Sequence, residues 1–405
     1  MEYRKLSSIY YESKEQYDEE YHNRFNSVST YMLPMSVKNN TAFVMITTEI
    51  LDTIEQIYKY NNRILEYKKS LPSLAVLKYA QQSIFDEIML TNDIEGVYSS
   101  RSEIIVAFKS PDKTKRFSGI MDMYMKLLSE EKVEIKTCED IRNLYDEIVL
   151  SEIDEPNRPD GQLFRLNSTS VYSPTDKEIH RGLLGEKNII SHIQLLLEFL
   201  NNSSVPDLIK IPVFHYYFGY IHPFYDGNGR LNRFISSYLL SGFLNNLISF
   251  KISYEIKNSL SKYYSAFNVC NDPKNRGDLT PFVEMFLEVI KNAALSTISQ
   301  LKDYSLKLSH YFNCLESISN KLLDQLNKEI LFLIVQNDLF DSNPLTLKEI
   351  SQILEKSEHI LRPRLEFLIE NQFITKQKHS RSFVYPAQFD VLDKIYETTT
   401  TSNSL

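Results

Sequence analysis

Glycine is scarce in this chain, ten residues in 405, and proline counts only fourteen. Helix breakers this rare leave long uninterrupted stretches, and those stretches carry apolar residues at helical spacing. Between Leu74 and Leu90, the residues Leu77, Ala80, Ile84, Ile88 and Leu90 fall near one face. The same reading predicts packed helices over 189–200, 211–221, 230–244 and 281–298. Thr137 reads as the N-cap of a further helix, with Asp140 in its third position. Strand signals are few; the stretch 170–173 is suited to one arm of a hairpin. No internal repeat is visible. The expected fold class is therefore mostly α.

The composition, 42% apolar and 24% charged, argues against global disorder and against a coiled-coil rod. No apolar run reaches the roughly 18 residues needed to cross a bilayer, so no membrane association is expected. The opening residues hold no apolar h-region, and three scattered cysteines suit neither a disulfide frame nor a thiolate metal site. A cytoplasmic setting is the expectation. A net charge of −8 speaks against broad nucleic-acid binding.

Two of the ten glycines stand together in His222-Pro223-Phe224-Tyr225-Asp226-Gly227-Asn228-Gly229-Arg230-Leu231-Asn232-Arg233, between two apolar helical runs. Pro223 disfavours the α conformation at His222, so the first helix should end there. The glycines permit a tight turn, and the next helix should open from it. A helix N-terminus offers unpaired N–H groups and partial positive charge to an anion. Gly227 and Gly229 would let the backbone approach a phosphate. Arg230 and Arg233, three apart, put two guanidinium groups on one side of the first turn. Asp226 is a hard oxygen ligand suited to Mg²⁺ shared with phosphates. His222 can accept a proton near neutral pH. This spacing suggests phosphoryl or nucleotidyl transfer to a hydroxyl.

The segment resembles the active-site motif of the Fic family, H-P-F-x-[D/E]-G-N-G-R-x-x-R, at every specified position. The resemblance implies transfer of AMP from ATP to a hydroxyl of a target protein. It implies His222 as the base, Asp226 as the Mg²⁺ ligand, and Gly227, Asn228, Gly229, Arg230 and Arg233 as phosphate ligands. FRLNSTSVYS resembles the family's flap hairpin, which aligns the target by strand addition, with Val171 and Tyr172 in it. KYYSAFNVCN resembles the segment that encloses adenosine, with Tyr264 and Asn271 matching. The run Asp272–Arg276 makes that region longer than the usual pattern. Thr91-Asn92-Asp93-Ile94-Glu95-Gly96 resembles the inhibitory motif [S/T]-x-x-x-E-[G/N], with Gly96 placed to end the helix and Glu95 as the inhibitory carboxylate. The expected activity is Mg²⁺-dependent AMP transfer to Ser, Thr or Tyr, restrained by Glu95, with AMP removal as a second reaction.

Toward the C-terminus, an apolar helix, two short helices and two short strands follow in the order of a winged helix-turn-helix. The expected division is an N-terminal arm over 1–65, a Fic-like domain over 66–300 with the inhibitory helix near 74–96, a helical linker over 301–325, a winged helix over 326–397 and a disordered tail over 398–405. The rival reading is a nucleotide-sensing DNA-binding regulator, with Arg362, Arg364, Lys376, Lys378 and Arg381 on the recognition helix and wing. Glu358, Glu366 and Glu370 share that stretch and leave its positive excess small. Self-modification and a homodimer are the other partner expectations.

Overall fold

The computed structural model describes residues 3–110, 112, 115–172, 178–319, 321–340, 343–379 and 382–402. They fall into two compact units, residues 1–63 with 83–297, and residues 64–82 with 298–405. The helices expected from spacing all form, and the strands make three two-stranded antiparallel hairpins.

The N-terminal stretch, unreadable in sequence, is structured. Helices α1 (Leu6–Glu12) and α2 (Lys14–Phe25) precede a hairpin of β1 (Thr30–Val37) and β2 (Asn40–Met45), and α3 (Thr48–Ser70) follows. The hairpin turns through Lys38 and Asn39, both at positive φ, as a two-residue turn between twisted strands requires. Tyr3 donates to the fully buried Asp278 at 2.8 Å, and Tyr17 donates to the Lys274 carbonyl at 2.7 Å. The long loop after the adenosine-type segment is thus where the N-terminal elements anchor.

Helix α4 (Ser73–Ile94) belongs to the first unit from Ser83 onward. It ends in a Schellman turn. Val97 N–H bonds the Asn92 carbonyl at 2.9 Å, Gly96 N–H bonds the Asp93 carbonyl at 3.1 Å, and Gly96 takes φ +73. After α5 (Arg101–Lys109) and α6 (Ser118–Leu128), Thr137 caps α7 (Cys138–Ile148) in a reciprocal box with Asp140, an arrangement worth about 1 kcal/mol.

Strands β3 (Ser170–Tyr172) and β4 (Glu178–Arg181) pair with a bulge, Val171 opposite His180 and Tyr172 opposite Glu178. The side chains of Val171 and Tyr172 lie outside the described ones. Then come α8 (Glu186–Asn202), α9 (Asp207–Ile221) and α10 (Asn228–Ser241). Helix α9 is apolar on every side and buried along nearly its whole length, the signature of a central helix. Short helices α11 (Asn246–Ser249) and α12 (Ile252–Asn258) lead to α13 (Leu260–Asn271) and the long α14 (Thr280–Ser317).

The second unit has its own core. Helices α15 (Gln325–Phe340), α16 (Leu347–Leu354) and α17 (Glu358–Glu370) are followed by β5 (Gln377–His379), β6 (Ser382–Val384) and α18 (Phe389–Ser402). Ile330, Leu331, Ile350, Leu361, Leu365 and Leu368 form the core with Leu392, and Leu74 packs against it. Helix α18 reaches Ser402, into the stretch read as a disordered tail, because Phe389, Leu392 and Ile395 anchor its first turns on that core. Residues 403–405 and Arg381 lie outside the described ones. Arg362 pairs with Glu358 at 3.1 Å and Arg364 with Asp324, so two expected DNA-facing arginines already hold carboxylates. No described helix is long and apolar enough to cross a membrane. The three cysteines are free and buried.

Candidate active site

His222 ends α9 in the left-handed conformation, φ +52 and ψ +64, outside the right-handed helical region that the following Pro223 disfavours. A non-glycine residue held there is strained and must be supported by its surroundings. Arg165 supplies that support. Its Nε donates to the His222 carbonyl at 2.8 Å and its other nitrogens to the Asn167 and Leu183 carbonyls. Gly182, beside β4, would bring a β-carbon within 2.9 Å of His222 Cβ, so only glycine lets the hairpin pass this close. Burial, then His180 and Arg165 nearby, lower the His222 pKa to about 3. The imidazole is therefore neutral at physiological pH, its lone pair unprotonated, and a weaker base than a free imidazole.

Gly227 takes φ +81 and turns the chain into α10. Asn228 braces the loop in both directions, its Oδ1 accepting from Phe224 N–H at 3.0 Å and its Nδ2 donating to the Phe224 carbonyl at 2.8 Å. One N–H of its amide is thus spent on the loop, and the residue also lines the cavity described below. The first-turn amides of α10 have no acceptor within the helix, and such amides are suited to an anion.

Arg233 is almost completely buried in the second turn of α10. Its Nε donates to Thr91 Oγ1 at 2.7 Å, and its Nη2 donates to the Thr91 carbonyl at 3.0 Å and to Glu95 Oε1 at 2.8 Å. Burial opposes the charge, but Glu95 and Tyr263 outweigh it and raise the guanidinium above its ordinary value. Thr91 and Glu95 reach it together because they lie four apart, one turn, at the end of α4.

Glu95, His180, Gly219, His222, Asn228, Gly229, Asn232, Arg233, Tyr263, Tyr264, Phe267 and Asn271 line one cavity. Tyr264 and Asn271 come to it from α13. Tyr216 donates to Asn271 Oδ1 at 2.8 Å, which orients the amide, and Asn271 Nδ2 has no partner among the described residues.

Gly227, Asp226 and Arg230 are not part of that lining. Arg230 pairs with Glu152 at 3.2 Å, both nearly fully buried, and burial raises the Glu152 pKa against the pull of Arg230 and Arg116. No group of three or more His, Cys, Asp or Glu suited to a metal occurs among the described residues. Asp226 is a single carboxylate. That fits Mg²⁺ carried on a nucleotide, which takes one or two carboxylates and completes its shell with phosphates and water. Arg165, His180, Asn232, Tyr263 and Glu152 were not singled out by spacing. Arg165 stands in the quoted FRLN stretch but shows its role only through carbonyls far along the chain.

Residues 135–240 match the model of the Fic/DOC family. The chain is 29% identical over 229 residues to Protein adenylyltransferase Fic of Drosophila ananassae, covering 53% of this chain and 42% of that protein. It is 27% identical over 245 residues to its namesake from Drosophila virilis, covering 58% and 45%. The chain therefore spans less than half the length of these curated relatives. A Fic family protein from Desulfovibrio desulfuricans G20 shares the fold at a TM-score of 0.53 and 17% identity, over 88% of this chain and 98% of that one. Residues 135–240 thus form a Fic domain, and the loop just described lies within it.

Proposed function

We propose that the Fic domain of this chain transfers AMP from ATP to a Ser, Thr or Tyr hydroxyl of a protein, and that Glu95 restrains the reaction. The observation that carries this is Glu95 seated on Arg233 in the cavity that also holds His222 and the start of α10. A protonated hydroxyl is a poor nucleophile. His222, neutral, takes the hydroxyl proton as the oxygen bonds the α-phosphorus, while the bond to the departing pyrophosphate breaks. The α10 amides bind phosphate oxygens, and Arg233 holds the γ-phosphate once Glu95 has left. Arg230, paired with Glu152 beside the loop, is the β-phosphate ligand of this reading. Asn271 offers its free Nδ2–H to a ring nitrogen of adenine, with Tyr264 beside it. Asp226 would hold Mg²⁺ with the donor's phosphates, and the ion would offset their charge.

Glu95 on Arg233 fills the γ-phosphate place, so ATP would sit misaligned; misplacement by about 1 Å can cost on the order of a hundredfold in rate. The same carboxylate can orient a water for AMP removal. Hairpin β3–β4, with Val171 and Tyr172, aligns the target segment by strand addition. The chain's own hydroxyls are one class of acceptor, and a homodimer is one setting for such modification. In the second unit, the order α15, α16, α17, β5, β6 supports a winged helix serving as a partner surface. We place the reaction in the cytoplasm. Incubation with α-labelled ATP and Mg²⁺ tests the reading: label on protein supports it, and label on none, in an uninhibited variant, opposes it.

A further inference from the structure

Arg233 must keep its aim when Glu95 leaves, and a hydrogen-bond chain behind it does this. Ser236 Oγ lies 2.8 Å from the Asn232 carbonyl, which can only accept, so the hydroxyl hydrogen is spent there. His215 Nδ1 lies 2.8 Å from the same Ser236 Oγ and must therefore be the donor. His215 is fully buried among Phe267, Phe282 and Phe286, and burial together with the nearby Arg233 keeps its ring neutral. A neutral ring with its proton on Nδ1 has a bare Nε2. Tyr263 Oη is 2.7 Å from that Nε2, so Tyr263 donates to it. The Tyr263 oxygen is left with lone pairs alone. It faces the Arg233 guanidinium, and both residues line the cavity.

We infer that Tyr263 is a positioning residue for Arg233, and that His215 makes it one by taking its hydroxyl proton. This rests on the reading of Arg233 as the γ-phosphate ligand. With Glu95 withdrawn, Arg233 keeps two bonds to Thr91, and the Tyr263 oxygen stands by as an acceptor for it. A hydroxyl with its hydrogen free would turn it toward the cation and push the guanidinium away. The His215 tautomer decides which end Tyr263 presents.

Two measurements test this. The first is nitrogen NMR of histidine-labelled wild type, in which His215 should carry its proton on Nδ1 with Nε2 bare. A proton on Nε2 overturns the inference. The second compares ATP and ADP binding by Glu95→Gly and Glu95→Gly/Tyr263→Phe. Loss of Arg233 aim should weaken ATP about tenfold, equivalent to about 1.4 kcal/mol, and leave ADP, which has no γ-phosphate, unchanged. Equal weakening of both, or of neither, overturns it. If Glu95→Gly binds ATP yet transfers nothing, the proposed reaction fails while the ATP-to-ADP comparison still decides this point. If it binds no ATP, the tautomer decides.

Discussion

Glu95 Oε1 stands 2.8 Å from Arg233 Nη2, and a β-carbon on Gly229 would overlap that same carboxylate. Gly229 therefore does two things: it clears the approach of an anion to the α10 amides and, in this state, the approach of Glu95. A charge-assisted Arg–carboxylate bond contributes roughly 1.5–3 kcal/mol when sheltered. Here Arg233 is buried and Glu95 is about a quarter exposed, which places it toward the lower end.

Gly229→Ala should displace Glu95 without activating transfer, because the methyl stands where phosphate must come. In wild type the substitution should cost up to about 1 kcal/mol, the lost pair outweighing the roughly 0.5–1 kcal/mol that alanine brings to a helix. In Glu95→Gly, where that overlap is gone, the same substitution should stabilise. Thermal unfolding of the four proteins checks the change of sign.

In the first unit, His222 and Glu87 are shifted in directions that give opposite pH dependence. His222 falls to about 3 in the fold, below an ordinary 6.5, so the unfolded chain binds its proton first. Its contribution is present above about pH 6.5 and is lost as pH falls toward 3. His222→Ala should show less acid destabilisation over that window, read as unfolding temperature against pH.

Glu87, on α4 a turn before Thr91, is fully buried and receives both Ser253 N–H and Ser253 Oγ–H. Burial raises its pKa to about 7, against the pull of Ser253, Arg233 and Lys251. Its folded state holds the proton more tightly than the unfolded one, so that stability is present below about pH 4.5 and is lost as pH rises through 7. Glu87→Gln keeps an acceptor for Ser253 and removes the titration. It should match wild type at pH 5 and exceed it in unfolding temperature at pH 8.

Asp226 belongs to no group of three or more metal-suited side chains among the described residues, so Mg²⁺ should bind with ATP and not without it. Titration calorimetry should show no Mg²⁺ heat for the protein alone and a clear one with ATP present. Asp226→Ala should weaken the metal dependence of transfer and slow it without unfolding the chain. Activity indifferent to EDTA would contradict the assignment.

The loop 222–233 was legible because Pro223 and the two glycines fix backbone angles by their own covalent structure, and the chemistry then follows from the order of side chains. Gly96 told where α4 stops for the same reason, and Thr137 with Asp140 carried a local cap. What could not be read depends on distant partners. Arg230 meets Glu152 from 78 positions away, and nothing local announces that pair. Tyr263 is one of 26 tyrosines, and its role appears only when His215 and Ser236 fold onto it. The N-terminal hairpin turns on Lys38 and Asn39, a weaker signal than Asn-Gly, and its further backbone partner, Asp278 bridged to Phe43, lies far along the chain.

The central claim is that Glu95 restrains AMP transfer carried out by His222. Intact-mass measurement after incubation with ATP and Mg²⁺ tests it most directly, on wild type, Glu95→Gly and Glu95→Gly/His222→Ala. Glu95→Gly should gain AMP on its own hydroxyls at a rate about a hundredfold above wild type, and the double variant should gain none. Labelling of Glu95→Gly no faster than wild type, or labelling that persists in the double variant, would contradict the account.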